Sequence, residues 1–92
     1  MGKVEVTFYG ALSQVTQEKR IRIDGSTLTE VMNALDARYG RPFINKVYDE
    51  KGKLRRFINI YVNGKDIRFL GNLGTKLTTG DKVSIVPAVG GG

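Results

Sequence analysis

The 92-residue sequence predicts an α+β domain: a mixed four- to five-stranded sheet with one main helix packed on one face. Three observations lead there. Apolar residues alternate with polar ones in four short stretches, "KVEVTFY", "RIRID", "FINIYV" and "VSIVPAV", which is the period of a half-buried strand. One stretch, "GSTLTEVMNALDARYG", switches to steps of three and four, the period of an amphipathic helix. The length leaves room for a single core, because a chain of this size buries roughly 60–70% of its unfolded surface and half of it would bury too little.

In the first strand Val4, Val6 and Phe8 face inward and Glu5, Thr7 and Tyr9 outward. "GALSQVTQEK" reads as a polar turn, and Ile21 and Ile23 resume the alternation, so the opening is an antiparallel hairpin. The helix follows, with Leu28, Val31, Met32, Leu35 and Tyr39 forming its apolar stripe. Thr27 with Glu30 fits a capping box, and Gly40 followed by Pro42 supplies a stop. From Arg41 to Arg56 the pattern is irregular, with "DEKGK" as a turn; Phe43, Ile44, Val47, Tyr48 and Leu54 should pin this excursion to the core. In "FINIYV" Ile58, Ile60 and Val62 point inward. Asn63–Gly64 is a hairpin turn, "DIRFL" a short returning strand, and "TGDK" a tight turn before the last strand. Pro87 marks where that strand leaves the ladder.

Composition excludes more than it selects. There is no cysteine and no histidine, so disulfides, thiolate metal sites, cysteine nucleophiles and imidazole bases are all absent. The nine carboxylates are scattered among fifteen Lys and Arg, which argues against a self-contained enzyme. Neither a bound cofactor nor a metal is expected; the glycines at 71 and 74 precede a strand rather than a helix, so no phosphate loop exists. No apolar run approaches the roughly 20 residues of a membrane span, and the chain reads as soluble and cytoplasmic. The net charge is +6, and between Arg38 and Arg56 seven bases face two acids, a local excess of five. Such a segment suits an acidic partner, a phosphate-bearing ligand or nucleic acid, or it is simply a solvated surface.

The order β β α β β β, with one helix packed diagonally across the sheet, is that of the β-grasp or ubiquitin-like fold. In it the last strand lies centrally beside the first, so the ending "VPAVGGG" would emerge from the middle of the sheet as a flexible tail, residues 88–92 of a single domain spanning 1–92. Glycines lack a Cβ and can thread a channel too narrow for side chains. The Gly92 carboxylate would be the least hindered in the protein, and with no cysteine present any carried sulfur would have to sit there as a thiocarboxylate.

Over essentially its whole length, and most strongly from Lys53 to Gly92, the chain resembles the MoaD/ThiS family of ubiquitin-like sulfur carriers: "VNG" at the hairpin, "L-TTGD-V" before the last strand, and the apolar-Pro-apolar-Val-Gly-Gly ending. The resemblance implies that an E1-like adenylating enzyme of the MoeB/ThiF type activates Gly92 with ATP. A sulfurtransferase then converts it to a thiocarboxylate, and an acceptor enzyme such as the molybdopterin synthase large subunit receives the sulfur. Three terminal glycines where two are usual leave Gly91 as the reactive end if the chain is trimmed, with Pro87, Ala88, Val89 and Gly90 forming the tail that enters the channel. Molybdopterin synthesis is the first expectation. Alternatives are a CysO-like donor for cysteine synthesis, which "RFINIYVNGKDIRF" and "VPAV" favour, and a protein modifier or tRNA-thiolation carrier.

Phe57, Tyr61 and Val86 should share the sheet face opposite the helix as a docking patch, with Arg68 and Phe69 near the same edge, unless the 41–56 excursion covers them. A different class of function, a basic β-grasp module that binds RNA with those aromatics stacking on bases, would lose affinity steeply with salt and would survive loss of Gly91 and Gly92.

Overall fold

The computed structural model describes residues 2–88. Its elements run β1 (Lys3–Phe8), α1 (Ala11–Thr16), β2 (Arg20–Asp24), α2 (Leu28–Tyr39), α3 (Arg41–Val47), β3 (Ile58–Val62), β4 (Lys65–Asp66) and β5 (Lys82–Pro87), with 3₁₀ turns at Ile67–Phe69 and Asn72–Gly74. The strands form one mixed sheet in the order β2-β1-β5-β3-β4. β5 lies in the middle, parallel to β1 and antiparallel to β3. This is the β-grasp arrangement expected from the element order.

One face of the sheet supplies Val4, Val6, Phe8, Ile58, Ile60, Val62, Val83 and Ile85 to the core. The α2 stripe of Leu28, Val31, Met32 and Leu35 closes over them, each at most 1% exposed. The start of α2 is set by its cap: Thr27 Oγ1 accepts the Glu30 N–H at 3.2 Å. The return arm of the box reaches one residue further back than expected, since Glu30 Oε1 accepts both the N–H and the hydroxyl of Ser26 at 2.8 Å. These bonds hold the Glu30 carboxyl below its usual pKa.

Three segments differ from the sequence expectation. The connection between β1 and β2 is the helix α1 rather than a polar turn. Leu12 and Thr16, one helical turn apart, are both buried, and that burial stabilises a segment with no side-chain cap. The start of the basic excursion is also a helix. Pro42 does not merely stop α2; it sits in the first turn of α3, where its missing N–H costs nothing. Phe43 and Val47 of α3 are fully buried, and Phe43 meets Phe8 edge-on at 6.1 Å. The returning strand in "DIRFL" shrinks to Lys65–Asp66. There the Asp66 carboxylate accepts the Arg68 N–H at 2.9 Å and caps a 3₁₀ turn, so the chain leaves the ladder. The turn before it is as expected: Asn63 and Gly64 both have positive φ, 53° and 85°, the requirement of a tight hairpin.

Candidate functional site

The site begins where β5 ends. Its last residues lie between two neighbours. Ile58 of β3 stands opposite Pro87, while on the other side Phe8 of β1 stands opposite Ile85 and the Tyr9 N–H reaches the Ile85 carbonyl at 3.1 Å. Pairing to β3 extends past the proline, because the Ala88 N–H donates to the Phe57 carbonyl at 2.6 Å. Pro87 also lies against Gly10, whose φ is +57°; a Cβ built on Gly10 would stand 3.3 Å from Pro87 Cγ. The root of the tail is thus held by β3, by β1 and by the loop into α1. Val89, Gly90, Gly91 and Gly92 lie outside the described residues.

On the sheet face away from the helices, the register places Asn59 opposite Val86 and Tyr61 opposite Ser84. Tyr61 and Val86 are half-buried there, next to the strand that carries the tail. Arg68 reaches toward the same face: its guanidinium holds Asp66 at 2.6 Å and Asn59 Oδ1 at 3.3 Å. The hydrogen bonds from Arg68 keep the Asp66 carboxyl below its usual pKa and raise Arg68 in turn. Phe69, next in the chain, is 78% exposed, the most open of the large apolar residues among those described. Tyr61, Val86 and Arg68 are thus brought to one face. Phe57 is half-buried, packs against the core cluster and accepts the Ala88 N–H on its carbonyl. The start of the 41–56 excursion, α3, packs against α1 and α2 on the helix side, away from this face.

The basic segment is less uniform in space than in sequence. Arg38 pairs with Glu18 at 3.3 Å, and the Tyr39 hydroxyl donates to the same carboxylate at 2.8 Å, which with Arg38 keeps the Glu18 carboxyl low. Asp49 is held low mainly by the backbone N–H of Lys53, then that of Lys51, as it folds the "DEKGK" turn. Arg41, Asp49 and Glu50 meet Asp36 and Tyr48 around a cleft of about 430 Å³ between α2, α3 and that turn. Asp36 Oδ1 is buried there with no hydrogen-bond partner among the described residues, and burial raises its carboxyl pKa. Burial, and then the Asp36 charge, push the Tyr48 hydroxyl up to about 12. Sequence reasoning missed this cleft, which depends on α3 folding back along α2; it shares no residue with the tail root. No helix among the described residues is long and apolar enough to cross a membrane.

Comparison with known proteins agrees with this geometry. The sulfur carrier protein CysO of Mycobacterium tuberculosis is 44% identical over 77 residues, covering 82% of each chain. Among solved structures, small archaeal modifier protein 1 of Methanosarcina acetivorans superposes with a TM-score of 0.86 at 31% identity, covering 100% of this chain and 98% of that one. CysO in the BexX/CysO complex of Amycolatopsis orientalis gives 0.81 at 37% identity, covering 97% and 99%. The ThiS family model matches residues 6–92, from the second inward position of β1 to the last glycine. A β-grasp sheet with its final strand at the centre, matched over nearly its whole length by sulfur carriers and a modifier, places the chain in the ThiS family of ubiquitin-like sulfur carriers.

Proposed function

We propose that the protein carries sulfur on its C-terminal carboxylate, at Gly92 or, after trimming, at Gly91. The observation that carries the reading is the rooting of the last strand at the centre of the sheet, together with a family match that runs to residue 92. A reactive end is useful to an enzyme only if its base is fixed. In the proposed cycle the carboxylate attacks the α-phosphorus of ATP within an E1-like enzyme and pyrophosphate leaves. A persulfide of a sulfurtransferase then displaces AMP, and reductive cleavage of the S–S bond by a thiol leaves the thiocarboxylate. This chain supplies the electrophile and the docking face; the partner supplies the bases and the nucleotide site.

For the acceptor, likeness to CysO at 44% identity favours a cysteine-forming enzyme that takes sulfur onto an activated serine derivative. The molybdopterin role expected first has no comparable support, since the Pyrococcus furiosus structure described as a putative molybdopterin converting factor subunit is 23% identical and speaks to the fold alone. Likeness to archaeal modifier proteins favours a second reading, in which the same activated carboxylate ends as an isopeptide on a lysine. The test is intact-mass spectrometry after incubation with the host adenylating enzyme, ATP and a sulfur donor. The mass change of one oxygen replaced by sulfur is expected, and is expected to be absent when Gly91 and Gly92 are deleted. An unchanged mass, under conditions that convert a known carrier, would sink the proposal.

A further inference from the structure

β3 is paired along only part of its outer edge. β4 meets it at Tyr61 and Val62 and then turns away, so among the described residues Ile58 to Ile60 have β5 on one side and no strand on the other. The bonds from Ala88 to Phe57 and from Asn63 to Lys82 show which β3 groups face β5: those of the odd-numbered residues. By alternation the groups of Ile58 and Ile60 face the open edge. The Ile58 N–H is taken by the Arg55 carbonyl at 3.0 Å. The Ile58 carbonyl and the Ile60 N–H have no protein partner among the described residues. One acceptor and one donor on either side of Asn59 are the pair that a single residue of an added parallel strand engages with its own N–H and C=O.

This edge opens into a groove of about 250 Å³ lined by Arg55, Arg56, Ile58, Ile60, Arg68 and Asn72, among others. Its charge is one-sided. Asp66 also lines it but is held by Arg68, and Arg55 donates its Nε to the Asn45 carbonyl. Arg56 is exposed and makes no ion pair among the described residues. Three guanidinium groups around one carboxylate leave a local excess of two positive charges.

We propose that this edge receives a short, extended, acidic segment of a partner protein as an added strand. The backbone pair favours such a peptide over a bare phosphate contact, because a phosphate can accept from Ile60 but has nothing to donate to Ile58. The position gives the contact a use. β5 lies one ladder inward from β3, so the added strand runs about 10 Å from the strand that roots the tail and fixes the tail's origin relative to the partner. That the segment belongs to an enzyme acting on the tail rests on the carrier reading above; the edge pairing itself does not.

The experiment titrates the full-length ¹⁵N-labelled protein with a blocked Glu-Val-Glu-Val-Glu peptide, to about 5 mM, and follows amide shifts and hydrogen exchange. Saturable shifts are expected at Ile58, Asn59, Ile60, Arg56 and Arg68, with slowed exchange of the Ile60 N–H. The same peptide N-methylated at its central residue, and a Lys-Val-Lys-Val-Lys peptide, should each bind at least fivefold more weakly. Arg56→Glu, at an exposed position, should weaken binding of the acidic peptide by a similar factor. No saturable shift at Ile60, or equal binding of the N-methylated peptide, overturns the proposal. So does a hexauridylate that shifts the same amides as strongly, which would make the groove a general polyanion site. None of these readouts involves adenylation, so failure here is separable from failure of the carrier chemistry.

Discussion

Gly10→Ala tests whether the tail root is fixed by the loop into α1. Gly10 adopts φ +57° and ψ −135°, a region that L-residues other than glycine scarcely visit. Holding a non-glycine residue there costs about 1–3 kcal/mol. Stiffening the unfolded chain returns about 0.4–1 kcal/mol of that. The net loss is about 1–2 kcal/mol, or a fall in Tm of roughly 4–15 °C for a domain of this size. A second effect separates this position from other strained glycines. The new Cβ would lie 3.3 Å from Pro87 Cγ, so the ring must shift by a few tenths of an ångström. Gly40 provides the control, with φ +74° and open space where a Cβ would stand, nothing lying within 4 Å. Gly40→Ala should cost comparable stability but leave the Ala88-to-Phe57 hydrogen bond untouched. Urea denaturation gives the stabilities, and hydrogen exchange at the Ala88 N–H reads the root. Faster exchange at Ala88 is expected in Gly10→Ala only. Equal Ala88 protection in both variants, or a loss below about 0.5 kcal/mol at Gly10, would refute the reasoning.

Three further outcomes are expected. Phe43→Ala should cost about 3–5 kcal/mol in urea denaturation, because α3 delivers that ring fully buried against Phe8 and Tyr39; a loss near zero would mean the excursion is a loose surface loop. Asp36→Asn should stabilise the protein at neutral pH. Burial raises the folded pKa of Asp36 above its ordinary value of 3.8, so the folded state binds the proton more tightly and stability falls as pH rises through that interval. The gain from the amide should therefore vanish below pH 3.8, and a pH-independent difference between the two proteins would contradict it. Phe69→Ser should change stability by less than about 0.5 kcal/mol, given 78% exposure, yet weaken binding to the proposed adenylating or acceptor enzyme about tenfold; unchanged affinity by calorimetry would remove Phe69 from the proposed docking face.

Much of the fold was legible in the residues themselves. β1, β2, β3 and β5 announce a period of two and α2 a period close to 3.6, each with enough repeats for the pattern to exceed chance, and Asn63–Gly64 names its own turn. From the order of these elements came the central position of β5, and from that the placement of the tail root and of Tyr61 and Val86 on one face. The sulfur-carrier assignment needed more than periodicity: it rested on the "VNG", "L-TTGD-V" and terminal glycine motifs taken in order.

What remained was decided by tertiary contact. α1 and α3 have six and seven residues, too few for a helical stripe to declare itself, and neither has a side-chain cap. Isolated helices of that length are unstable in water, so their burial of Leu12, Phe43 and Val47 is the cause of the structure and not a consequence of it. Gly40-Arg41-Pro42 carries two messages, the end of one helix and the start of the next, and only packing against α2 chooses both. "DIRFL" alternates like a strand, yet the Asp66 carboxylate captures the Arg68 N–H and takes the chain out of the ladder. That local competition between a side chain and a backbone partner leaves the edge of β3 open. The sequence alone thus determined which strand bears the tail, because alternation and order are local and additive. Which edges are covered, and where Asp36 Oδ1 and Arg56 are left without partners among the described residues, depended on residues far apart in the chain meeting in space.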